Sequence, residues 1–329
     1  MKTRQWRMRC RTAVLTADDF VLSEVDLPAP AGGQLLARVR MASLDPYLAK
    51  SMQTWIGETP GWADGTVHGR ILAEVVASQS EGIHRGDLIT GVGRWQDYEV
   101  FDARNVRSVD PSITPPSLAL GALSASGWTA WIGLHLSEVC SGQTVFISAA
   151  TGTVGGTAGQ LARRRGCRTV GLVGGEAKRR HAIDVLGFHA CVDHTAPDLE
   201  GQVASVAGTG IDLVFENVGA PSIDAALPSM LRHGRILLCG LAAHYNSTQP
   251  ATLRNMMMLL YKQIGVQPFA VSEHRQLLGQ ARRELHDGII TGAIKYDETI
   301  TDGLENAPTA YLDMLAGKGL GKRLLRVSR

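Results

Sequence analysis

An apolar, β-branched run from Thr144 to Ser148 leads into a small-residue turn, Ala149-Ala150-Thr151-Gly152-Thr153-Val154-Gly155-Gly156, and a helical pattern then runs to about Arg165. Arg168 to Gly174 follows as a second buried strand. Glycine lets a backbone approach an anion, and a helix N-terminus presents unpaired N–H groups with a partial positive charge. Gly155, Ala158, Gly159 and Ala162 fall at i, i+3, i+4, i+7, a stripe suited to close packing on a sheet. The Gly-Lys-Ser/Thr of a P-loop is missing from the helix start. The unit reads as a dinucleotide-binding turn; the alternative is a glycine turn that serves geometry alone.

With 329 residues the chain can form two ordinary domains. A formal net charge of +2 points to neither nucleic acid nor an anionic membrane as partner. The 44% hydrophobic content with 37 glycines suits an α/β enzyme, and no apolar run is long enough to span a bilayer. The start, MKTRQWRMRCRTAVL, is Arg-rich and acid-free like a transit peptide. Yet Trp6, Met8 and Cys10 alternate with Arg7, Arg9 and Arg11, the period of a half-buried strand. With no secretory segment visible, a cytoplasmic location is expected. The cysteines, Cys10, Cys140, Cys167, Cys191 and Cys239, are isolated, which argues against a disulfide framework and a structural zinc site. The last four read as small buried hydrophobes.

Residues 1 to about 120 read as short strands with turns: VLSEVDLP, QLLARVRMA, GRILAEVVAS, GDLITGVG and YEVFD. A β-rich, partly open barrel is expected there, with PSITPP (111–116) as linker. From about 121 strands and helices alternate, with strands expected at 144–149, 168–173, 190–193, 211–216, 234–239 and 264–270. Helices are expected at 154–165, 177–186, 220–231 and 273–287. That rhythm implies α/β architecture, a six-stranded parallel Rossmann sheet with right-handed crossovers. The expected division is 1–120 with 290–329, and 121–289.

In such a sheet the strand ends point at one crevice. After strand two come Gly174, Gly175 and Glu176, then Lys178, Arg179 and Arg180. A carboxylate there favours NAD; cations favour the 2′-phosphate of NADP, unless the trio is only a solvated helix face. Phe215-Glu216-Asn217-Val218-Gly219 follows strand four, either lining the crevice or turning the chain. Cys239 and Gly240 follow strand five and lead to Tyr245 and Asn246, where the nicotinamide end of a cofactor would lie. Tyr245 either donates to a substrate oxygen or packs a loop. In the first part Tyr47 sits in the SLDPY turn, and Trp55, Trp62, Trp95 and Trp128 offer walls for an apolar pocket or ordinary core. The Met256-to-Tyr261 run reads as helix core or subunit interface. GxSxG is absent.

Taken together, Arg4-Gln5-Trp6, SLDPY (43–47), GWTAW (127–131), AATGTVGG (149–156), FENVG (215–219), LCGLAAHYN from 238, GLENAP (303–308) and GKGLGKRLLRV (317–327) resemble the medium-chain dehydrogenase/reductase superfamily. They are most similar to its zinc-independent NADPH-dependent alkenal, prostaglandin-13 and curcumin reductases. The resemblance covers almost the whole chain. It implies a GroES-like domain plus a Rossmann domain, commonly a homodimer, and reduction of the carbon–carbon double bond of α,β-unsaturated aldehydes and ketones. Carried over by position, Gly152, Thr153, Val154 and Gly155 hold the pyrophosphate and Lys178 the 2′-phosphate of NADP(H). Gly174, His194, Asn217, Cys239, Gly240 and Asn246 line the cofactor, with Thr129 near the nicotinamide. Tyr245 sits beside the reacting carbonyl, with Tyr47 in the substrate pocket; the residues themselves offer Trp95 and Trp128 as its further substrate-binding walls.

The chain departs from that pattern at His194 for a Tyr, Ala220 for a second Gly, Gly319 for an Asn, and Trp128 and Trp131 for a smaller aliphatic and a Tyr. The first three bear on cofactor contacts, the tryptophans on pocket width. The Cys and His–Glu set of the zinc-dependent branch is missing: Leu44-Asp45 and Val67-His68-Gly69-Arg70 stand instead. Other readings are an NADPH quinone reductase of the same superfamily and a non-catalytic NADPH-binding redox sensor.

Overall fold

The computed structural model describes residues 1–53 and 65–328; Trp55 and Trp62 lie outside them. The chain forms two units: Met1–Gly121 with Tyr245–Thr248 and Glu298–Arg329, and Ala122–His244 with Gln249–Asp297.

The described part of the first unit carries strands β1 (Lys2–Met8), β2 (Phe20–Asp26), β3 (Gln34–Ser43), β4 (His68–Ser78), β5 (Leu88–Arg94), β6 (Tyr98–Asp102), β7 (Val106–Ser108) and, from the C-terminus, β14 (Glu298–Asp302) and β15 (Lys322–Arg326). β1 and β2 pair with each other; the rest form a mixed seven-stranded sheet ordered β14-β15-β3-β4-β5-β7, with β6 also on β3. Strand β3 shows how sequence makes this sheet. Its alternate residues Leu35, Ala37, Val39 and Met41 are buried, while Arg38 and Arg40 between them reach the Glu74 carboxylate at 2.9 and 2.7 Å. β1 differs in phase from its sequence pattern. Its buried positions are Thr3 and Gln5; Trp6 and Met8 are partly covered against the same core, and Cys10 is exposed beyond the strand.

The second unit holds β8 (Thr144–Ser148), β9 (Arg168–Val173), β10 (Ala190–Asp193), β11 (Ile211–Glu216), β12 (Met230–Leu238) and β13 (Gly265–Pro268), all parallel, in the order β10-β9-β8-β11-β12-β13. Helices at Thr153–Arg164, Glu176–Asp184, Leu199–Val206 and Ala220–Ala226 supply crossovers. β8 is buried at every residue, as expected of a strand covered on both faces. The small-residue stripe has a packing reason too: a Cβ on Gly159 would lie 2.1 Å from the Phe188 ring.

Two helices differ from their sequence patterns. The one expected to reach 231 stops at Ala226, passes through the turn Leu227–Ser229 and becomes β12 at Met230, because Pro228 has no N–H to continue a helix. The one expected from 273 opens as a 3₁₀ segment, Val271–Leu277, before the α-helix Leu278–Ile290. Cys167 and Cys191 are buried, whereas Cys140 is exposed and Cys239 half-buried.

Candidate active site

The turn after β8 is shaped by backbone. Ala149 takes φ 50°, and its carbonyl accepts the Gly152 N–H at 2.9 Å. A Cβ on Gly155 would stand 2.4 Å from that same carbonyl oxygen, so only glycine permits this approach. The helix Thr153–Arg164 starts from Gly152 with no side-chain cap and no acid in its first turn. Its leading N–H groups have no intrahelical acceptor, while Arg163 and Arg164 complement its C-terminal end. This fits the pyrophosphate of a dinucleotide.

The ends of β9 and β10 meet at Gly174 and Gly175. Gly175 takes φ 91° and donates its N–H to Asp193 Oδ1 at 2.8 Å. Asp193 also accepts the Thr195 N–H and hydroxyl. Burial works to raise this carboxyl, but the donors prevail and hold it below its ordinary range. The His194 ring occupies the space a Gly174 side chain would fill, 2.7 Å from the Cβ position. Glu176 is tied to Arg179 at 2.6 Å and to Arg180 at 3.5 Å on its own helix. The acid that would bind a ribose diol is therefore partly neutralised, while the half-buried Lys178 stands next in the same helix.

The densest hydrogen bonding lies where β8 and β11 end side by side. Glu216 is fully buried, and its Oε1 accepts from the Ser148 and Ser222 hydroxyls and from the Val218 and Gly219 N–H groups, at 2.6 to 2.8 Å. Its Oε2 is buried with no hydrogen-bond partner. Burial pushes the carboxyl up against the pull of those donors. Asn217 donates its N–H to Ser148 Oγ and its amide to the Ser148 carbonyl, at 2.7 and 2.8 Å. The Cys239 thiol, raised well above its ordinary value by burial and then by Glu216, lies 3.1 Å from Asn217 Oδ1. Gly240 packs on Asn217: a Cβ there would be 2.9 Å from the Asn217 carbonyl.

Thr129 and Trp128 sit in the helix Ala125–Leu136. The Thr129 hydroxyl bonds the Ala125 carbonyl at 2.8 Å, and Arg282 lies 4.6 Å above the half-buried Trp128 ring. Trp131 is a core residue, donating to Glu284 and stacked on His135.

In the first unit Tyr47 is half exposed, and Arg70 hydrogen-bonds its hydroxyl. Its turn is pinned from below: Asp45 accepts Ser43 Oγ and Lys322 Nζ, each at 2.5 Å, and the Lys322 side chain is 5% exposed. Tyr245 is half-buried with Lys50 Nζ 5.7 Å from its ring centre. Asn246 accepts the Leu15 N–H and a Gln53 amide N–H at 2.7 and 2.8 Å, so it anchors the segment of Tyr245 within this unit. Trp95 is fully buried, stacked on Phe20 and edge-on to Tyr311; it is core, not pocket wall. Sequence reading missed Ser148, Asp193, Ser222 and the role of Glu216. The legible signal was an acid ending a strand buried on both faces, just before the N–H groups of a turn.

Of the departures, Gly319 takes φ 84°, a conformation that glycine and asparagine both adopt, so the turn survives the exchange. Ala220 begins a helix and donates its N–H to His244 Nε2 at 3.1 Å.

Residues 153–285 match the family model described as zinc-binding dehydrogenase, and residues 4–109 the N-terminal domain of oxidoreductase. The chain is 37% identical to the NADPH-dependent curcumin reductase of Escherichia coli over 99% of this chain and 97% of that protein. It is 32% identical to the NADP(+)-dependent 2-alkenal reductase of Nicotiana tabacum, covering 93% and 91%. The chain belongs to the zinc-independent medium-chain dehydrogenase/reductase family. The fold agrees: the crystal structure of CurA in complex with NADPH from Vibrio vulnificus superposes with a TM-score of 0.93 at 35% identity over 99% of both chains. Like other members of the family, this chain is an oxidoreductase. Among the described residues no group of three His, Cys, Asp or Glu side chains is placed to hold a metal ion, and no helix is long and apolar enough to cross a membrane.

Proposed function

We propose that this chain reduces the carbon–carbon double bond of α,β-unsaturated ketones or aldehydes. It is an NADP(H)-dependent reductase of its family, as the uncapped helix start after Gly152 and Lys178 in the first turn of the helix Glu176–Asp184 support. Gly152, Thr153, Val154 and Gly155 would hold the pyrophosphate, Lys178 the 2′-phosphate, and Gly174, His194, Asn217, Cys239, Gly240 and Thr129 would line the cofactor. When bound, NADPH supplies a hydride to the β-carbon of the substrate. Negative charge then builds on the carbonyl oxygen, and a donor placed there stabilises it. Tyr245 is that donor, with Tyr47 of the same unit bounding the substrate; the α-carbon takes its proton from solvent or from Tyr245.

The observation that carries this reading is the placement of Tyr245. It directly follows the segment leading from Cys239 and Gly240, and Asn246 beside it is fixed by two hydrogen bonds. The test is NADPH consumption over enals, enones and quinones, with product analysis. Saturated ketones and aldehydes are expected; allylic alcohols, or turnover of quinones alone, would contradict it.

We also place the protein in the cytoplasm as a homodimer. The edge strand β13 is exposed along its length, beside exposed Met256, Met257, Leu260 and Tyr261. Light scattering is expected to give twice the chain mass, and Leu260→Glu to shift it toward the monomer.

A further inference from the structure

In the sheet order β10-β9-β8-β11-β12-β13, the chain leaves β8 toward β9 on one side and leaves β11 toward β12 on the other. The ends of β8 and β11 are thus the point where connections diverge and a crevice opens, the place where such sheets bind ligands. Nothing in the backbone ladder closes this point. The ladder between the two strands pairs Leu213, Val214 and Phe215 with Val145, Phe146 and Ile147 and goes no further. Beyond it side chains take over. Ser148 Oγ donates to Glu216 Oε1 at 2.8 Å and accepts the Asn217 N–H at 2.7 Å, while the Asn217 amide donates to the Ser148 carbonyl at 2.8 Å. Three bonds cross the switch point between two residues on one side and one on the other.

The same carboxylate fixes what stands above it. Its Oε1 accepts the Val218 and Gly219 N–H groups, which ties down the turn that follows Asn217. The Glu216 carbonyl accepts the Cys239 and Gly240 N–H groups at 3.0 and 3.1 Å, and the Asn217 carbonyl accepts Ala242 N–H at 3.0 Å. The Glu216–Asn217 pair therefore sets the spacing of three strand ends, those of β8, β11 and β12. An acid buried to 0% exposure, with one oxygen crowded by four donors and the other without a partner, is costly to keep for packing alone.

We propose that Glu216 and Ser148 are positioning residues that strap the crevice at the switch point and hold its width for the pyrophosphate–nicotinamide half of NADP(H). This rests on the cofactor reading given above. The strap joins β8 to β11, while Gly174–Lys178 follows β9 on the opposite side of β8, so the adenine 2′-phosphate half should sense it less than the pyrophosphate–nicotinamide half.

The test measures binding of two probes, NADPH and 2′,5′-ADP, by calorimetry to the full chain, Ser148→Ala and Glu216→Gln, well below each melting temperature. Ser148→Ala is the milder change and keeps the test open if Glu216→Gln folds poorly. Each variant is expected to weaken NADPH by about tenfold, the loss of one charge-assisted bond, and to leave 2′,5′-ADP within about twofold. Unchanged NADPH affinity in both variants would overturn the proposal and leave the network a purely structural one. Equal weakening of both probes would also overturn it, as general distortion. If the unmutated chain bound neither probe, the cofactor reading would fail and the strap with it.

Discussion

The two units solve the problem of placing functional groups in opposite ways. The second unit leans on backbone: a glycine beneath Ala149, a helix start without a side-chain cap, and turn N–H groups gathered on one buried acid that the Ser148 and Ser222 hydroxyls also reach. The first unit uses long-range side-chain anchors. Tyr47 rides on a turn gripped by Lys322 through Asp45, and Tyr245 on a segment gripped through Asn246. The cofactor is the same molecule in every turnover, which suits backbone. Substrates vary, and side chains can be exchanged without rebuilding a turn.

The largest expected effect breaks the first unit's device. Lys322→Met should leave Asp45 buried and unpaired, at a cost of about 3–5 kcal/mol in denaturant unfolding. A loss below about 1 kcal/mol would show that the pair does not hold the Tyr47 turn. Next in size is Tyr245→Phe, which keeps the ring and removes the donor. Turnover should fall roughly ten- to a thousandfold, more than substrate affinity, because the bond forms mainly in the transition state. A nearly normal variant would make Tyr245 a packing residue. On the cofactor side, Lys178→Ala should raise the Michaelis constant for NADPH by about tenfold to a hundredfold and leave NADH nearly unchanged. Equal effects on both would remove Lys178 from the phosphate site.

The smallest effect is in pH. Burial raises the Glu216 carboxyl in the folded chain, so its contribution to stability is fully present below the ordinary carboxylate value and is lost as pH rises through the raised one. The melting temperature of Glu216→Gln relative to the unmutated chain should therefore improve between acid and neutral pH. A difference independent of pH would show that the carboxyl does not titrate there.

How much was legible follows the same division. Strands β9, β10 and β11 stand where their apolar runs put them, because a parallel strand buried on both faces is a continuous apolar word. β12 begins earlier than its pattern, since its first turns carry exposed Arg232 and His233. The glycine turn was legible because its chemistry is local. The Glu216 strap was not, for Ser148 is 68 positions away. Nor was the Asp45–Lys322 pair, separated by 277. Trp95 shows the same limit: a tryptophan in a wall and one in a core look alike until the strands close around it.

The central claim is hydride addition to the β-carbon of a conjugated carbonyl. NADPH deuterated at its transferable position, turned over with an enone, should give a saturated ketone with the label at the β-carbon. Label on the carbonyl carbon, in an allylic alcohol, would contradict the account and make the enzyme a carbonyl reductase.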